Sequence, residues 1–106
     1  MDAATLLTGT KWDMIELLSK QELSPMELAK KLSTTVANIS QQLRLLYTAG
    51  LVKKQRAPTA KPGKPRVLFS IAEDYCFIML FTKGSAKKKL LKVTPEHKRI
   101  LQNLLA

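Results

Sequence analysis

Two short helices set end to end, each with its own start signal and only a few residues between them, constrain this chain more than any other feature. The first opens at Ser24, an N-cap; Pro25 follows at the first helical position and Glu27 at the third, where its carboxylate reaches back to the cap amide. Leu28, Ala29 and Leu32 supply its inward face, and it ends near Leu32. After Ser33-Thr34, Thr35 caps a longer helix in which Val36, Ile39, Leu43 and Leu46 follow the helical period. Gly50 stops that helix, because glycine takes the left-handed conformation past the last turn at little cost.

A connection of two to four residues between two such helices is a helix-turn-helix. The sequence predicts a further helix upstream, from Thr10 to about Lys20, with Asp13 as a weaker capping acid and Trp12, Ile15 and Leu18 as one buried stripe. Downstream, Leu51-Val52 and Arg66 to Ile71 read as two strands. The stretch 53–65 between them holds three prolines and a glycine, which predicts a long, mobile hairpin tip without regular structure. Tyr75 to Phe81 is expected to be a buried strand rather than a buried helix, on its aromatic and β-branched content, and Thr94-Pro95 opens a last helix with Ile100, Leu101, Leu104 and Leu105 on one side. The expected fold is α+β: a three-helix core with a β-hairpin wing over residues 1–72, extended in the same compact domain by a strand and helix over 73–106.

Charge is distributed unevenly along the 106 residues. The formal net charge is +10; residues 1–50 hold five basic and five acidic residues, whereas 51–92 hold eleven basic and two acidic. Such an excess suits a polyanionic partner. The lone Cys76 excludes an internal disulfide, and with His97 as the single histidine no Cys/His metal spacing exists, so neither metal nor cofactor is expected. The longest apolar run, Tyr75 to Phe81, is far short of a membrane helix and the N-terminus has no signal-peptide pattern, so a cytoplasmic, soluble protein without membrane contact is expected. No nucleophile and base pair, carboxylate pair, phosphate loop or metal cluster appears, which argues against an enzyme.

Opposite Ile39, Leu43 and Leu46, the third helix carries Ala37, Gln41, Arg44 and Thr48, flanked by Asn38 and Ser40. Short polar groups and one arginine suit the major groove of duplex DNA, where Gln and Asn pair with adenine and Arg with guanine. The same pattern also describes an ordinary solvated face. The adjoining hairpin shifts the balance: Lys53, Lys54, Arg56, Lys61, Lys64 and Arg66 place six positive charges within fourteen residues, with no acid among them. Base edges are expected to be read by the helix, and phosphates neutralised by the hairpin.

Glu27-Leu28-Ala29-Lys30-Lys31-Leu32 and Leu43-Arg44-Leu45-Leu46-Tyr47-Thr48-Ala49-Gly50-Leu51-Val52 resemble the winged-helix core of ArsR-like and related MarR-like transcriptional regulators, including small archaeal relatives, over about residues 10–71. The resemblance implies a homodimer that sets two recognition helices in successive major grooves with its wings on the flanking backbone. It carries over Thr35 at the cap and Val36, Ala37, Asn38, Ser40 and Gln41 facing DNA. The cysteine motif of metal-sensing members is absent from the third helix, so arsenic or zinc sensing is not implied.

Other residues have blander readings. Cys76 is expected to be a buried small hydrophobe rather than a redox switch, and His97 to be solvated. Lys87, Lys88, Lys89 and Lys92 either extend the phosphate footprint or form a solvated turn. The apolar segments 75–81 and 100–105 exceed what a three-helix core covers, so part of them is expected to be shared with a second subunit. Two other functions stay open: a non-specific architectural or RNA-binding protein, and a winged-helix protein-interaction module.

Overall fold

The computed structural model describes residues 8–57 and 66–106, so the expected hairpin tip at 58–65, with Lys61 and Lys64, lies outside the described residues. The chain divides into two compact units, Met1–Ala72 and Glu73–Ala106.

In the first unit, helices α1 (Gly9–Leu18), α2 (Pro25–Lys31) and α3 (Val36–Thr48) precede strands β1 (Val52–Ala57) and β2 (Arg66–Ile71). Ser24 caps α2 with a full capping box: its Oγ accepts from the Glu27 amide at 3.2 Å while its own amide donates to Glu27 Oε1 at 3.1 Å. That reciprocal pair satisfies two of the amides a first turn leaves free. Both α2 and α3 end alike. Past α2, Ser33 takes a left-handed φ of 53°, letting the Ser33 and Thr34 amides donate back to Lys30 and Ala29; past α3, Gly50 at φ 80° does the same for Tyr47 and Leu46. The sharp turn between α2 and α3 is therefore built from backbone bonds rather than from side-chain packing.

The core of this unit is Met14, Leu18, Leu23, Leu28, Ala29, Ile39, Leu43, Leu46, Leu51 and Val52, all buried. The α3 contribution keeps the period read from sequence. In α1 the buried residues are Met14 and Leu18, and Trp12 is 46% exposed, so the expected stripe is displaced. Helix α1 begins at Gly9 after Thr8, not at Thr10, and its inward line runs through Met14 and Leu18, four residues apart on one face.

β1 and β2 pair antiparallel from Val52↔Ile71 to Ala57↔Arg66, and Leu23 bridges the far edge of β2 through reciprocal bonds with Phe69 at 3.1 and 2.8 Å. Strand β1 is longer than Leu51-Val52: Lys53, Lys54, Gln55 and Arg56 belong to the ladder and not to an irregular tip. No proline falls between Val52 and Ala57, so nothing in that stretch denies the ladder its amide donors. Three helices with a two-stranded wing make this unit a winged helix.

The second unit is a hairpin of β3 (Tyr75–Thr82) and β4 (Ser85–Lys92) followed by helix α4 (Pro95–Leu104). Its register runs from Tyr75↔Lys92 to Thr82↔Ser85 around a Lys83-Gly84 turn, with Gly84 at φ 136°. Residues 75–81 thus form a strand as expected, but not a buried one: Ile78 to Phe81 are exposed and Cys76 is half-buried. Lys87, Lys88, Lys89 and Lys92 lie in β4 and not in a turn, since each pairs with a residue of β3. Thr94 caps α4 by accepting from the His97 amide, and no residue of α4 is buried. No helix of the described residues is long and apolar enough to cross a membrane.

Candidate nucleic-acid interface

Helix α3 presents its core side through Ile39, Leu43 and Leu46, and the helical period then turns Val36, Ala37, Ser40, Gln41, Arg44 and Thr48 outward, where all are exposed. Thr35 is occupied: its Oγ1 accepts from the Asn38 amide at 3.1 Å, which fixes the first turn. Its hydroxyl serves the cap, and the remaining first-turn amides are the part of this end suited to an anionic oxygen.

Asn38 differs from its neighbours. Its Nδ2 donates to Thr34 Oγ1 at 3.0 Å and its Oδ1 accepts from Gln42 Nε2 at 3.3 Å, so the half-buried amide belongs to a row of polar side chains along α3. At the inner end of that row Gln42 Oε1 is buried without a hydrogen-bond partner among the described residues. Gln41, Ser40 and Arg44, by contrast, stand clear of that row, and Gln41 and Arg44 hold the long donors and acceptors that reach a base edge.

The wing lies against the other end of α3. Lys54 holds its ammonium 4.7 Å from the centre of the Tyr47 ring, a cation–π contact between strand and helix. Alternation along β1 puts Arg56 on the Lys54 side and Lys53 and Gln55 on the other, where Gln55 donates to the Glu22 carboxylate at 3.2 Å. A depression of about 190 Å³ lies between helix and wing, lined by Pro25, Ser40, Leu43, Arg44, Tyr47, Lys54 and Phe69. Its polar rim therefore joins the two elements that sequence reasoning proposed separately. Tyr47 is the residue that reasoning passed over; its signal was a large ring one position beyond the core residue Leu46, too far round the helix to be buried.

Arg66 sits apart from the other wing cations. Its guanidinium is ion-paired with Glu27, the capping-box acid of α2, in a pair that solvent reaches on both sides. The Glu27 carboxyl is held below its ordinary value, first by the Ser24 amide, then by the Ser24 hydroxyl and by Arg66, against a partial desolvation that pushes the other way.

Residues 8–54 match the family model described as the bacterial regulatory proteins of the arsR family. Over that segment the chain is similar to the helix-turn-helix of those regulators. The match runs from the cap of α1 to Lys54 on the wing and leaves the second unit outside it. A solved structure described as "Structure of Prokaryotic Transcription Factors" is similar over 93% of this chain and 80% of its own, at 14% identity and a TM-score of 0.47. Comparison with curated proteins finds no match. The ArsR-type segment thus contains every recognition-helix candidate, Thr35, Val36, Ala37, Asn38, Ser40, Gln41 and Arg44, and the first two wing cations, Lys53 and Lys54, while Arg56 and Arg66 follow it in the hairpin.

Proposed function

We propose that this chain is a non-enzymatic, sequence-specific transcriptional regulator that binds duplex DNA as a homodimer, α3 entering the major groove and the β1–β2 wing lying on the sugar-phosphate backbone. The observation that carries the reading is the outward face of α3, where Gln41 and Arg44 stand exposed beside Ser40 with the Lys54 and Arg56 side of β1 adjoining. Gln41 is suited to a bidentate pair with adenine and Arg44 to one with guanine, each contributing about 1–3 kcal/mol of discrimination. Lys53, Lys54 and Arg56 supply a sequence-independent term through counterion release. Asn38, tied to Thr34 and Gln42, shapes the helix face more than it reads bases, and Arg66 is engaged by Glu27. On this reading it acts in the cytoplasm, beside the DNA it binds.

Selection of bound duplexes from a random pool at physiological salt tests this reading. An enriched, near-palindromic motif is the expected result. Recovery of unenriched DNA would replace it with an architectural binder, and recovery of nothing with a protein-interaction module.

A further inference from the structure

The depression between α3 and the wing is apolar at its base and cationic at its rim. Buried Leu43 and half-buried Phe69 form the base, while Ser40, Arg44, Tyr47 and Lys54 stand exposed around it, the first three on one face of α3 at spacings of four and three residues. No carboxylate is among the residues that line it. Arg44 and Lys54 make no ion pair among the described residues, whereas Arg66 on the same wing is held by Glu27. Two cations left without a carboxylate beside an apolar base suit an anion that carries an apolar part of its own. Size narrows the class further. At about 190 Å³ the depression is smaller than the roughly 300–1,000 Å³ of pockets that enclose an organic ligand, and it opens to solvent, so it covers one side of a ligand rather than surrounding it. A free small molecule would bury too little of its surface there to be held, but a chain that is anchored on either side fits such a site. One repeat of a nucleic-acid backbone supplies both parts, a sugar with apolar ring carbons and a phosphate.

We propose that this depression seats one sugar-phosphate unit of duplex DNA, the sugar over Leu43 and Phe69 and the phosphate between the Lys54 ammonium and the Tyr47 hydroxyl, which makes Tyr47 a DNA-contacting residue. This rests on the duplex-binding reading above and adds to that interface a residue outside the polar face of α3. Tyr47 has two parts to play. Its ring holds the Lys54 ammonium 4.7 Å from its centre, which fixes where that positive charge sits. Its phenolic hydroxyl puts a neutral donor on the same exposed ring. The two donors respond differently to salt. An ammonium that neutralises a phosphate releases a counterion, and a hydroxyl that bonds the same phosphate releases none. The seat therefore divides into a salt-dependent contribution from Lys54 and a salt-independent one from Tyr47. Neither distinguishes one base pair from another, because both act on the backbone.

Binding of the full chain to two duplexes of unrelated sequence, each across a salt series, tests the seat with three single variants. Tyr47→Phe keeps the ring beside Lys54 and removes only an exposed hydroxyl, so its circular dichroism and unfolding midpoint should match wild type. It should weaken both duplexes alike by about tenfold, the loss of one hydrogen bond to a charged group, with an unchanged salt slope. Lys54→Met should weaken both and lower the slope by about 0.9 per chain. Tyr47→Ala removes the hydroxyl and the ring together and should weaken both duplexes further than Tyr47→Phe does. If Tyr47 acts only by holding Lys54, the ring suffices and Tyr47→Phe binds like wild type, a result that overturns the proposal. A loss confined to one of the two duplexes would overturn it as well, by making Tyr47 a base reader, and so would a slope that falls in Tyr47→Phe as it does in Lys54→Met. The same measurement separates the two readings. A wild-type chain that binds neither duplex removes the duplex-binding reading and the seat together, whereas wild-type binding that Tyr47→Phe leaves intact removes the seat alone.

Discussion

Replacing Glu27 with glutamine should move stability and DNA affinity in opposite directions. Glu27 serves two partners: it accepts from the Ser24 amide at 3.1 Å, and it pairs with Arg66 on the wing. Glutamine keeps an oxygen for the cap amide, so most of the capping box survives. The ion pair does not, and with both side chains more than a third exposed it contributes at most about 1 kcal/mol. Glu27→Gln should therefore cost about 1 kcal/mol or less, a fall in midpoint of up to about 4–8 °C in thermal unfolding of a domain this size. The cost should also depend on pH. A carboxyl held below its usual value near 4.5 adds stability that is present above that value and lost as pH falls through the lowered one, so the gap between variant and wild type should close in that acid window. Arg66, released, becomes available to a phosphate. Titration of a random duplex against salt should then show tighter binding and a slope steeper by about 0.9 per chain. An unchanged slope would refute the claim that Glu27 withholds Arg66 from DNA, and an unchanged midpoint at neutral pH would show the pair contributes nothing to the fold.

Gln41→Ala and Arg44→Ala should each weaken a selected site by about 1–3 kcal/mol while leaving random duplex nearly unchanged, measured by competition binding; equal losses on both would remove them from base reading. Neutralising Lys53, Lys54 and Arg56 together should weaken every duplex alike and flatten the salt slope by up to about 3 per chain, and an unaltered slope would take the wing off the phosphates. At the two left-handed positions, Gly50→Ala should destabilise and Ser33→Gly stabilise, each by roughly 1 kcal/mol in denaturant unfolding; the absence of any Cβ contact at Gly50 makes the first a backbone effect alone.

The first unit was legible because its signals are local. Ser24, Pro25 and Glu27 act within four residues, as do Thr35 and Gly50 at the ends of α3, and the buried positions Ile39, Leu43 and Leu46 keep one period. Helix α1 was placed less well, since neither Thr8 nor Thr10 makes a side-chain cap that fixes where the helix starts; the cap at Thr8 shows none. Strand β1 was cut short because three prolines and a glycine were taken to exclude regular structure from the whole of 53–65, whereas the first of them is Pro58 and residues 53–57 pair with β2. Lysine content hid β4: three successive lysines carry no period-2 pattern, and the strand exists because its backbone pairs with β3 around the Lys83-Gly84 turn. In the interface, the exposed face of α3 followed from periodicity alone. Two relations between elements did not: Arg66 with Glu27, 39 residues apart, and Lys54 with Tyr47 across the end of α3, each of which requires the wing to be folded back on the helices.

The contact between Lys54 and Tyr47 has a consequence for the DNA as well as for the protein. A wing tied to the helices by the reciprocal Leu23–Phe69 backbone bonds as well as by the Lys54 ammonium over the Tyr47 ring behaves as one arm of a caliper whose opening is preset. When such a surface meets a duplex whose groove is too narrow or too wide, the duplex and not the wing must deform, and the energy of that deformation depends on steps the side chains never touch. On the proposed reading, base pairs lying between the α3 and wing contacts should therefore influence affinity through their stiffness, with flexible pyrimidine–purine steps favoured there over rigid A-tracts.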